Sequence, residues 1–78
     1  MMSKPLSLDE RRDLVGHDYT LELYKGGDKK PFATHQAWVS GAQLAFAQVS
    51  TREGHNLQWS WEAVATCASR DKRFKHTV

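Results

Sequence analysis

The side chains that could do chemistry in this chain are one cysteine, four histidines, a glycine pair among lysines, and three tryptophans. A zinc site draws its donors in close pairs such as Cys-x2-Cys or His-x3-His, so that two ligands reach one ion from a single turn. His17, His35, His55, Cys67 and His76 stand nine or more residues apart, which predicts no metal centre. Cys67 lies between Thr66 and Ala68 in a helical stretch and reads as a small buried hydrophobe, the usual state of a free cysteine. The run Gly26-Gly27-Asp28-Lys29-Lys30-Pro31 lacks the G-x4-G-K-[ST] spacing that cradles phosphate, so it reads as a hairpin turn. Asp9, Glu10 and Asp13 sit among Arg11 and Arg12, where a perturbed general acid is not expected. These residues predict no catalytic site, no cofactor and no enzyme.

Aromatic and basic residues point instead to binding. Trp59 and Trp61 bracket Ser60, and if Ser60 caps a helix the two indoles leave in different directions. An exposed indole can anchor a protein interface or stack on a base, so Trp59 and Trp38 are the predicted protein contacts. Lysines and arginines cluster at Lys25/Lys29/Lys30 and at Arg70/Lys72/Arg73/Lys75. If the partner is a nucleic acid, Lys29, Lys30, Arg70, Lys72, Arg73 and Lys75 are the expected phosphate contacts. A net charge of +2 is modest for such a binder.

The elements that must position these groups follow from spacing. Ser7-Leu8-Asp9-Glu10 has the capping-box form and predicts a short helix from Leu8 to Val15, stopped by Gly16. Tyr19, Leu21 and Leu23 alternate with Thr20, Glu22 and Tyr24, the pattern of a half-buried strand. The turn after it would return the chain as a short edge strand near Phe32-Ala33. From His35 to Glu53, the i, i+4, i+7, i+8, i+11 spacing of Trp38, Ala42, Ala45, Phe46 and Val49 predicts a helix. Trp61, Val64, Ala65 and Ala68 predict another. The expected fold is therefore α+β: a short N-terminal helix and a two-stranded antiparallel hairpin (19–24 and 31–34) packed with two helices (35–53 and 58–69). Its core would be Leu21, Leu23, Trp38, Phe46, Val49, Trp61, Val64 and Phe74.

A chain of 78 residues predicts a single small domain, 1–78, with flexible ends at 1–6 and 75–78. So thin a core makes a homodimer a natural supplement. The single cysteine, the lack of an apolar leader and the lack of a long apolar run predict a cytoplasmic protein with no membrane partner.

Ala45-Phe46, Trp61-Glu62-Ala63-Val64 and Asp71-Lys72-Arg73-Phe74 resemble the first two helices of an FF domain, a small helical protein-interaction module. That resemblance implies that Phe46, Trp61 and Phe74 are core and that the chain binds another protein. The expected order strand, helix, helix is also similar to that of ribbon-helix-helix repressors, which would imply a dimer reading DNA with its strand. The leading expectation is a small non-enzymatic regulatory or inhibitory protein that binds another protein, of the kind phages and plasmids encode in short genes. The alternative is a small nucleic-acid-binding protein or transcriptional regulator using the two basic clusters.

Overall fold

The computed structural model describes residues 6–78. They form α1 (Leu8–Leu14), β1 (Tyr19–Tyr24), β2 (Ala33–Ser40), β3 (Ala47–Thr51), β4 (Asn56–Trp59), α2 (Trp61–Arg70) and β5 (Arg73–Thr77). The strands make one sheet in the order β4-β3-β2-β1-β5. β1 to β4 are an antiparallel meander, whereas β5 joins β1 in parallel after the chain has crossed through α2.

This architecture replaces the expected hairpin on two helices. Residues 35–53, read as a helix, form most of β2, a loop and β3. Two facts decide it. Ala37 and Val39, then Ala47, Val49 and Thr51, are buried at every second position, the strand period, and Val39 pairs with Val49 in register. Gly41 adopts φ +75, a left-handed turn that ends β2, where a helix would have carried it in its interior at a cost of about 1 kcal/mol. The helical spacing of Trp38, Ala42, Ala45, Phe46 and Val49 was a coincidence of an alanine-rich stretch. The second expected helix begins later, because Asn56–Trp59 is strand and Ser60 caps α2 by accepting the Ala63 amide at 3.1 Å.

The likenesses to helical modules fail with it: Phe46 precedes β3 on a loop and Phe74 lies in β5. A five-stranded sheet also departs from a ribbon-helix-helix plan. α1 carries the expected capping box, Ser7 Oγ accepting from Glu10 and Glu10 Oε1 from Ser7. Of the ends expected to be flexible, residues 1–5 lie outside the described residues, and Arg73–Thr77 is strand.

One face of the sheet carries the core: Tyr19, Leu21, Leu23, Ala37, Val39, Ala47, Val49 and Phe74, closed by Trp61 and Val64 of α2. Trp59 of β4 and Phe74 of β5 stand at opposite ends of the strand order, yet their ring centroids are 5.0 Å apart. The sheet is therefore curled into a half-barrel around α2, its two free edges turned toward each other. The opposite face is polar, with Thr20 and Glu22, Thr34 and Gln36, Gln48 and Ser50, and Asn56 and Gln58 placed by strand alternation. Trp38 belongs to this outer face and is half-buried, not core, and Phe46 is exposed; the other six expected core residues are buried.

Candidate binding surfaces

The loop from Gly41 to Phe46 joins β2 to β3. Its Leu44 carbonyl accepts two long-range hydrogen bonds, from the Trp61 indole Nε1–H at 2.9 Å and from Arg11 at 3.4 Å. Arg11 also lies over the Trp61 ring, 5.4 Å from its centroid, so one carbonyl ties the loop to both helices. On this anchored loop Leu44 is 45% exposed and Phe46 54% exposed. Leu44 lines a depression with Arg12, Val15, Gly41, Ala42 and Gln43, and Phe46 stands outside it on the same loop. An aromatic and a leucine exposed on one loop, with Arg12 beside the leucine, have the composition of an interface centre. Phe46 carries this surface, although the sequence reading placed it in the core.

The second surface runs along β5. One depression is lined by Tyr24, Lys25, Gly27, Asp28, Lys29, Lys75 and Thr77. The next is lined by Trp59, Thr66, Cys67, Arg70, Asp71, Arg73 and Lys75. Lys75 belongs to both, so Lys25 and Lys29 of the hairpin and Arg70, Arg73 and Lys75 near the C-terminus, far apart in sequence, form one strip. Glu22 lies within it: Arg73 is 3.9 Å from its carboxylate and the Tyr24 hydroxyl donates to it at 2.9 Å. Burial, then the hydrogen bond and charge of Glu22, push the Tyr24 phenol above its usual range. Burial and the nearby Asp71 carboxylate push the Cys67 thiol up, away from the thiolate that would make it reactive.

Of the predicted phosphate contacts, Lys29, Arg70, Arg73 and Lys75 share this strip. Lys72 lines other depressions, with Tyr19, and Lys30 lines none of these depressions. Trp59 is half-buried, with its ring against Phe74 at 5.0 Å and its edge on the second depression. Trp38 lies on the outer sheet face and lines neither the depression beside Leu44 nor the two along β5.

The His35 and His55 rings pack together at a 44° tilt with centroids 4.7 Å apart, and Glu53 Oε2 lies 3.3 Å from His35 Nδ1. Among the described residues no group of three or more His, Cys, Asp and Glu side chains is placed to hold a metal ion. Among the described residues, too, no helix is long and apolar enough to cross a membrane. Comparison with protein-family models, with curated proteins and with solved structures found no match.

Proposed function

We propose that this chain is a small non-enzymatic regulatory protein that acts by binding another protein through the Gly41–Phe46 loop. The observation that carries this reading is the outward Phe46 and Leu44 on a loop whose carbonyl is held from two helices. Such a loop loses little conformational freedom when it docks, which leaves more of the burial energy for affinity. Affinity capture with the purified chain, with and without nuclease and with Phe46→Asp in parallel, tests it. The reading expects one protein retained by the parent chain, resistant to nuclease and lost with Phe46→Asp at unchanged melting temperature. Capture that survives Phe46→Asp, or that disappears with nuclease, contradicts it.

Nucleic-acid binding is the second reading, favoured by the convergence of both lysine clusters on Lys75. Against it stand Glu22, Asp28 and Asp71 within or beside the same strip. It requires binding to an oligonucleotide that weakens steeply with salt, since each neutralised phosphate releases counterions.

A further inference from the structure

The last strand of the sheet, β5, has β1 as its one neighbour in the strand order. Its hydrogen bonds to β1 begin with the Lys72 carbonyl, which accepts from Thr20, and end with the Val78 amide, which donates to Tyr24. Because backbone groups alternate along a strand, even-numbered residues face β1 and the N–H and C=O of Arg73, Lys75 and Thr77 face outward. These three residues are on the polar face with Thr20, Glu22 and Tyr24, their register partners. Phe74 and His76, register partners of Leu21 and Leu23, point to the concave side. Directly beside this edge lies the depression floored by Trp59, Thr66 and Cys67, in the seam between the two free edges of the half-barrel.

We propose that β5 accepts an extended peptide from a partner protein, paired to its free edge, in which acidic and apolar residues alternate. An added strand presents every second side chain to the polar face, where Arg73 and Lys75 are exposed and Arg70 borders the groove. Acidic side chains suit those positions. Its intervening side chains turn inward to Trp59, Thr66 and Cys67, where apolar groups fit. Glu22 offsets part of the charge of Arg73, but among the described residues Lys75 and Arg70 make no ion pair. A second copy of the chain is a poor occupant. Antiparallel pairing of β5 with itself centred on Lys75 sets lysine against lysine, a destabilising cross-strand pair. The other free edge, β4, is four residues of Asn, Leu, Gln and Trp, without charge to select a partner.

This site is independent of the Phe46 loop, and its test uses the full chain with a synthetic Glu-Val-Glu-Val-Glu peptide, a Lys-Val-Lys-Val-Lys peptide and a thymidine oligonucleotide. Titration followed by amide NMR should give saturable binding of the acidic peptide, with shifts and slowed hydrogen exchange at Arg73, Lys75 and Thr77. Lys75→Pro, which removes an outward N–H and no bond to β1, should abolish it. Lys75→Glu should weaken it about tenfold, as an attractive cross-strand pair turns repulsive, and should narrow the acidic peptide's advantage over the basic peptide. That charge swap decides the matter if Lys75→Pro does not fold. The proposal is overturned if the acidic peptide does not bind, if binding leaves the β5 amides unprotected, or if Lys75→Glu does not alter the preference. It is equally overturned if the oligonucleotide binds the strip in preference to the peptide.

Discussion

Phenylalanine serves opposite ends at positions 46 and 74. Phe74 is fully buried between Tyr19 and Trp59, with ring centroids 5.0 Å away on either side, whereas Phe46 is more than half exposed. Phe74→Ala should therefore cost about 3 to 5 kcal/mol, much of a small domain's stability. Phe46→Ala should change stability by no more than about 0.5 kcal/mol. Urea denaturation of both variants checks the pair. Lys72 is the one non-glycine among the described residues with positive φ, at 52°, where its amide donates to the Cys67 carbonyl at 2.8 Å after the end of α2. A side chain there carries a backbone cost that glycine lacks. Lys72→Gly keeps the amide, and should raise stability by about 0.5 to 1 kcal/mol, read as a higher denaturation midpoint.

At the scale of elements, α1 is held to the rest by few but specific contacts, since none of its residues is buried. The Tyr19 hydroxyl donates to the Leu14 carbonyl at 3.0 Å, and burial raises the phenol's pKa above 10.0. Above about pH 10 the unfolded phenol loses its proton first, so the folded chain binds more protons and stability falls as pH rises through the folded pKa. Tyr24 shifts the same way. Tyr19→Phe should lower stability at neutral pH by about 1 kcal/mol and flatten part of the alkaline loss, measured as melting temperature from pH 8 to 11. The Gly41–Phe46 loop is held at one carbonyl by two donors, Trp61 at 2.9 Å and Arg11 at 3.4 Å. Trp61→Phe keeps a ring in the core but leaves the Leu44 carbonyl without its 2.9 Å partner, and faster hydrogen exchange through the loop is the expected result. Elements with local signatures were legible: the capping box of α1, the alternation of β1 and the Ser60 cap of α2. The middle of the chain was not, because Ala37-Trp38-Val39-Ser40 and Ala47-Gln48-Val49-Ser50 are too short to fix a period, and their pairing across the loop is a tertiary fact. Phe46 was lost with them, since a helical period turns it inward where the loop turns it out.

For the whole molecule, the half-barrel explains why surfaces distant in sequence coincide. Curling brings Trp59 to Phe74, and parallel pairing of β5 with β1 sets Lys75 beside the hairpin lysines. The basic residues were legible as two clusters; their union needs the β1–β5 pairing, which no local pattern announces. With a core closed by one helix of ten residues, the fold has little apolar surface to spare, and yet Phe46 and Leu44 are left outside it. This exposed pair is the proposed contact with a partner protein. Its most direct measurement is site-specific photo-crosslinking in the native cell, with a photoreactive phenylalanine analogue at position 46 and, as control, at exposed Arg52 in the turn after β3. A discrete protein adduct from position 46, resistant to nuclease and absent from position 52, is the expected result. Equal labelling from both positions, or an adduct from position 46 that nuclease digests, would contradict the account.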